Sequence, residues 1–194
     1  MRLVLASASP RRRELLRQIC PAFEVVPSEI EETLDEGPTQ DAVVLLALRK
    51  ARAVTALAAG AAVLAADTVV VIDGMALGKP PGAREAREML TRLRGRQHEV
   101  VTGLAVVGAG ARREATTAVV SRVLMASYPD ATIEAYVASG SPLDKAGGYA
   151  IQDLGGRLVD AVVGSYTNVV GLPLAATRRL LGDFGVAVSE RAAP

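Results

Sequence analysis

Ala62-Val63-Leu64-Ala65-Ala66-Asp67-Thr68-Val69-Val70-Val71-Ile72 is an apolar run interrupted by one carboxylate, and Asp73-Gly74 closes it. The run reads as a buried strand. Asp-Gly is a hairpin-turn dipeptide, so Met75 to Lys79 is the expected return strand. The stretch is too short and too interrupted to cross a bilayer, so no membrane partner is expected. Upstream, Leu3 to Ala6 reads as a short buried strand. Ser7-Ala8-Ser9-Pro10 then turns into a helix to about Gln18, with Ser9 as N-cap and Pro10 at the first helical position. Phe23 to Val26 reads as a second strand, followed by an acidic loop from Ser28 to Glu36. A long helix is expected from Thr39 to Ala58. Val43, Leu46, Ala47, Val54 and Leu57 share one face of it, Lys50 falls inside that face, and Arg49 and Arg52 fall on the polar side.

Downstream of the hairpin, Arg84 to Leu93 reads as a helix stopped by Gly95. Glu99 to Val107 and Ala115 to Leu124 read as strands joined by the turn Gly108 to Arg113. Asp130 to Ala138 reads as a helix ended by Gly140. Tyr149 to Gln152 and Leu158 to Val163 read as extended, and Leu172 to Leu181 as the last helix. The tail from about Ser189 is expected to fray. Strands and helices intermix, which predicts an α/β or α+β mixed sheet in one compact domain over residues 1–194.

The chain has 194 residues, with 22 Lys plus Arg against 21 Asp plus Glu. That balance argues against a protein that coats nucleic acid by bulk electrostatics. Aromatics are 3% of the chain, which disfavours a stacking platform for single strands. Half the residues are hydrophobic, which excludes wholesale disorder. The one cysteine, Cys20, suits a reducing compartment, and one Cys plus one His, His98, make no structural zinc site. A cytoplasmic location is the expectation.

Some residues break local rules. Arg11, Arg12 and Arg13 fall in the first turn of a helix, where cations oppose the dipole and the bare N–H groups favour an anion. A docked polyanion such as a triphosphate makes sense of them; a solvated basic patch is the alternative. Asp67 lies in an apolar strand, where an unpaired carboxylate is costly, so an acid, base or metal-ligand role is expected over a strand-end cap. Lys50 reads either as a ligand contact or as a snorkelling lysine. A two-residue turn would pair Lys79 opposite Thr68, next to Asp67; strict alternation would put Lys79 and Asp67 on opposite faces, but Gly78 and Pro80 weaken that register, and a surface lysine is the alternative. A carboxylate from the loop of Glu31 and Glu32 can join Asp67 on a divalent cation, because Mg²⁺ takes few carboxylates plus phosphate oxygens. Asp144 to Tyr149 is a glycine loop, and Gln152 beyond it carries both a donor and an acceptor for a base edge. His98 reads as a structural hydrogen-bonding residue.

Together these segments resemble the Maf family of nucleoside triphosphate pyrophosphatases. The resemblance runs in order through Ser7-Ala8-Ser9-Pro10-Arg11-Arg12, Arg49-Lys50-Ala51, Ala66-Asp67-Thr68-Val69-Val70 and Gly78-Lys79-Pro80. It continues through Gly95, His98, Val100 and Thr102, then Asp144 to Gln152 and Gly164 to Pro173. It implies a two-lobed, inosine triphosphatase-like fold with a central cleft. It also implies metal-assisted hydrolysis of a nucleoside triphosphate, between the α- and β-phosphates, to monophosphate and pyrophosphate. By position, Asp67 matches the proton acceptor. Ser7, Arg11, Arg12, Lys50 and Lys79 match phosphate-binding positions, and Glu32 matches the acidic position that shares Mg²⁺ or Mn²⁺ with Asp67. Arg11, Thr68 and Gln152 together are similar to the subgroup acting on dTTP and UTP, with Thr68 and Gln152 selecting the base. A homodimer is implied as well. A nucleotide-sensing regulator of division, using the same pocket without turnover, is the alternative. The chain departs from the family pattern at Ala66, at Ser121, where a packing effect alone is expected, and at Asp153, an added charge near the base-reading segment.

Overall fold

A computed structural model describes residues 1–37, 39–111, 113–152 and 154–189. Asp153 and the tail beyond Ser189 lie outside the described residues. Among the described residues, seven strands form one mixed sheet, with hydrogen-bonded order β2-β1-β3-β5-β6-β7 and β4 paired to β3. The strands are β1 (Leu3–Leu5), β2 (Glu24–Val25), β3 (Ala62–Ile72), β4 (Met75–Leu77), β5 (Gln97–Val107), β6 (Glu114–Met125) and β7 (Val159–Val163). The helices are α1 (Pro10–Arg17), α2 (Thr39–Thr55), α3 (Ala83–Leu93), α4 (Asp130–Ala138), α5 (Tyr166–Val170) and α6 (Leu174–Asp183).

The described chain divides into two compact units. Among the described residues, the first holds those of 1–67, 102–119 and 171–189; the second holds those of 68–101 and 120–170. In the first, β1 runs parallel to β2 and β3, with Leu3 opposite Ala62 and Leu5 opposite Leu64. One cluster of its core is built from small residues: Ala47, Ala51 and Val54 of α2 against Val63, Ala65 and Ala105. Small side chains let the helix lie close to the strands. The closest point is Gly103, where a Cβ would stand 2.5 Å from the Val43 carbonyl carbon. Gly103 is therefore a packing requirement for where α2 sits.

In the second unit, Asp73 and Gly74 both take positive φ, as a two-residue hairpin with right-handed strand twist demands. The register is Ile72 with Met75, Val71 with Ala76 and Val70 with Leu77. Pairing ends there, because the Gly78 carbonyl accepts the Gly147 N–H at 3.0 Å. The expected return strand to Lys79 is two residues too long for that reason. The amphipathic helix α3 buries Ala86, Leu90 and Leu93, and Gly95 at φ 66° ends it. Leu90 and Leu93 join Val100, Met125 and Ile133 in this unit's core.

Other expectations need correcting. Helix α2 stops at Thr55, so Leu57 is not on its buried face but 76% exposed. Of Tyr149 to Gln152, Tyr149 is extended as expected, but Ile151 and Gln152 turn, so the segment pairs with no strand among the described residues. Helix α5 was not foreseen. Its cap is Ser165, whose Oγ accepts the Asn168 N–H at 3.1 Å. The last helix starts at Leu174, two residues late, because Pro173 serves as its N-cap. Ser121 does more than pack. Its buried hydroxyl donates to the Ser165 carbonyl, accepts the Ser165 N–H and accepts from Asn168 Nδ2, each at 3.0 Å.

Candidate active site

Four elements of the first unit bring the expected charged residues together. Helix α1 starts as its sequence dictates. Ser9 has extended backbone, its hydroxyl accepts the Arg12 N–H at 3.4 Å, and Pro10 opens the helix. The first turn holds no acid to balance its arginines. Arg13 is exposed, while Arg11 and Arg12 are half-buried. Arg12 is held by its surroundings: Nε donates to the Gly171 carbonyl at 2.9 Å, and Nη1 reaches Ser7 Oγ at 3.5 Å. Ser7 is itself buried, and its Oγ accepts the Ser9 N–H at 3.2 Å. Burial lowers the Arg12 pKa from its ordinary value, the charges of Asp67 and Glu32 oppose that, and Arg11 adds to it. The two carboxylates thus offset a cation placed against the helix dipole.

Asp67 sits in the middle of β3, not at its end, and is buried. Lys50 projects from the buried face of α2 and does not snorkel. Its Nζ lies 2.6 Å from Asp67 Oδ1 and 2.6 Å from Glu32 Oε1. Its side chain is 4% exposed, Asp67's 12% and Glu32's 51%. One ammonium therefore links an inner carboxylate to an outer one, and Glu32 keeps access to water. Helix, strand and acidic loop meet at that atom. Asp67 and Glu32, expected together on a divalent cation, both contact the Lys50 ammonium.

Thr68, Lys79 and Gln152 belong to the second unit. Thr68 is half-buried in β3, directly after Asp67. Lys79 is exposed just beyond β4. Next to it, the glycine loop is anchored by the Gly147–Gly78 bond, and a Cβ at Gly147 would stand 2.8 Å from Val70 Cγ2. Gln152 is exposed in the turn that follows. Tyr136 OH accepts the Ala150 N–H at 3.3 Å, and Tyr149 OH lies 2.7 Å from His98 Nε2. His98 is buried, and desolvation lowers its pKa to about 4, so it is a neutral hydrogen-bonding residue as expected.

Two contributors escaped the sequence reading. The Gly171 carbonyl that holds Arg12 is a main-chain atom, and no residue type announces it. Arg49, on the polar face of α2 and within the Arg49-Lys50-Ala51 motif, was given no role of its own, yet it donates to Asp35 at 3.0 Å and to the Thr33 carbonyl. Its place beside Lys50 was the available signal.

The profile of the family described as Maf-like protein matches residues 2–184. The dTTP/UTP pyrophosphatase of Syntrophus aciditrophicus is 48% identical over 186 residues, 95% of this chain and 90% of that protein. The dTTP/UTP pyrophosphatase of Myxococcus xanthus is 50% identical over 191 residues, 98% of this chain and 96% of that protein. A solved nucleoside-triphosphatase / dITP/XTP pyrophosphatase of Mycobacterium abscessus overlays at TM-score 0.40 and 18% identity, covering 66% of this chain and 76% of that one. The match of sequence profile and relatives over nearly the whole chain places this protein in the Maf family.

Proposed function

We propose that this chain hydrolyses nucleoside triphosphates, dTTP and UTP foremost, to the monophosphate and pyrophosphate. The observation that carries the reading is the Lys50 ammonium, which ties buried Asp67 to exposed Glu32 within the electrostatic reach of Arg12. Such a set combines a base with cations for a polyphosphate. The names of the relatives supply the substrate class.

Ser7, Arg11, Arg12 and Lys50 bind phosphate oxygens and offset the charge that repels a nucleophile. Lys79 contributes to the same task by its match to the family's phosphate-binding position. Asp67 accepts a proton from the water that attacks the α-phosphorus. The new bond joins water oxygen to phosphorus, the bridge to the β-phosphate breaks, and pyrophosphate leaves with that electron pair. Thr68 and Gln152 select the pyrimidine by hydrogen bonds that a wrong base leaves unpaired. Residues 1–194 act as one catalytic domain, as a cytoplasmic homodimer.

The donor set suits a hard divalent cation. Asp67 and Glu32 already turn their oxygens toward a single positive atom, and carboxylates are the donors that Mg²⁺ and Mn²⁺ prefer. Among the described residues no group of three or more His, Cys, Asp or Glu side chains is arranged to hold a metal. Phosphate oxygens and water would therefore complete the shell. When bound, such an ion neutralises phosphate charge.

The test is pyrophosphate release from a panel of nucleoside triphosphates with Mg²⁺ and with Mn²⁺. Release from dTTP and UTP well above that from purine nucleotides is the expected result. Binding of dTTP without release would favour the sensing regulator instead.

A further inference from the structure

The acidic loop is a part of the site without regular secondary structure. Residues 26–35 form neither helix nor strand, yet they must deliver Glu32 to Lys50. The residue before that lysine holds the loop at two further points. Arg49 Nη1 donates to Asp35 Oδ1 at 3.0 Å, and Nη2 donates to the Thr33 carbonyl. Thr33 follows Glu32 directly, so pinning its carbonyl pins the backbone from which the Glu32 side chain departs. The consecutive residues Arg49 and Lys50 thus grip three points of one short loop: Glu32, Thr33 and Asp35.

We infer that Arg49 is a positioning residue, which acts through the acidic loop to hold Glu32 in place for the divalent cation and the polyphosphate. This rests on the proposed role of Glu32. Stability alone does not account for the arrangement. The Arg49 and Asp35 side chains are 39% and 44% exposed, and ion pairs that open to water stabilise a fold very little. Geometry is what the contact supplies. A guanidinium carries several N–H donors in a rigid fork, so it holds a carboxylate and a carbonyl together, while a lysine presents one compact charge.

The experiment compares Arg49→Met, Arg49→Lys, Asp35→Asn and Glu32→Gln with the unaltered protein. The first readout is Mn²⁺ affinity in the presence of the α,β-methylene analogue of dTTP, followed by electron paramagnetic resonance. The others are the split between KM and kcat for dTTP and the thermal midpoint. Arg49→Met should weaken Mn²⁺ binding by about ten- to a hundredfold, the range for loss of a residue that orients a metal ligand. The thermal midpoint should stay close to that of the unaltered protein, and KM should rise more than kcat falls. Arg49→Lys should recover part of the loss, and Asp35→Asn should reproduce part of it from the loop side. If Arg49→Met does not fold, Asp35→Asn decides. Unchanged Mn²⁺ affinity in Arg49→Met, with affinity lost in Glu32→Gln, overturns the inference and leaves the proposed function standing. Unchanged affinity in Glu32→Gln overturns the role of Glu32 and the inference with it.

Discussion

Lys50 is the residue on which the site turns. Its ammonium is the charge partner of buried Asp67, so Lys50→Met leaves a carboxylate uncompensated in the interior. Breaking such a pair from one side costs about 3–5 kcal/mol. Urea unfolding should therefore show a large stability loss, and Lys50→Arg a smaller one. Asp67→Asn makes a different prediction. An amide cannot take a proton from water, and loss of a general base lowers turnover by about 10²- to 10⁴-fold. Asparagine keeps the size of the side chain and an oxygen facing Lys50, so nucleotide affinity should change far less than kcat. Turnover of dTTP at the original rate by Asp67→Asn would remove Asp67 from the role of base.

At the scale of elements, the site depends on how closely α2 lies on the sheet. Lys50 reaches Asp67 because the facing surfaces are alanine and valine, and because Gly103 has no side chain to hold the helix off. Gly103→Ala would place a Cβ 2.5 Å from the Val43 carbonyl oxygen and 2.6 Å from the Val44 nitrogen. Those are backbone atoms with no rotamer to give, so the helix must move. Overpacking of this kind costs about 1–3 kcal/mol. The thermal midpoint should fall, and kcat should fall further than the unfolded fraction explains, because the shift draws Lys50 from Asp67. Equal kcat in the folded fraction of Gly103→Ala would uncouple helix position from chemistry. The periodicity of α2 disclosed which face Lys50 occupies, but the loop it grips had no periodicity to read. Helix α5 was missed for a related reason: five residues are too few for a pattern, and its cap is held by Ser121, distant in sequence.

For the molecule as a whole, His98 links stability to pH. It is buried beside Tyr149, whose hydroxyl is its neighbour at 2.7 Å, and burial lowers its pKa to about 4 from 6.5. The unfolded chain therefore binds the proton first. Its contribution is fully present above about pH 6.5 and is lost as the pH falls toward 4, a total of about 3 kcal/mol. Asp73 and Glu114 have pKa values lowered by hydrogen bonds from Arg96 and Arg92 and from Arg52, respectively, so they too lose stabilising contacts in acid. Comparison with His98→Gln separates the terms. The variant should show a shallower decline of the urea midpoint between pH 6.5 and 4, and an identical slope would exclude His98 as the source.

The amino-acid sequence determined by itself the order and kind of most elements. It determined the capped start of α1, the buried strand with its single carboxylate and the face of α2 that carries Lys50. These follow from local causes: side-chain periodicity, capping chemistry and the turn residues Asp73-Gly74. Tertiary structure alone decided that Lys50 joins Asp67 to Glu32, that Arg12 rests on the Gly171 carbonyl, and that Arg49 holds the acidic loop. Those contacts join residues 14 to 159 positions apart. They involve main-chain oxygens and loop carboxylates, and long-range packing, not local propensity, brings such atoms together.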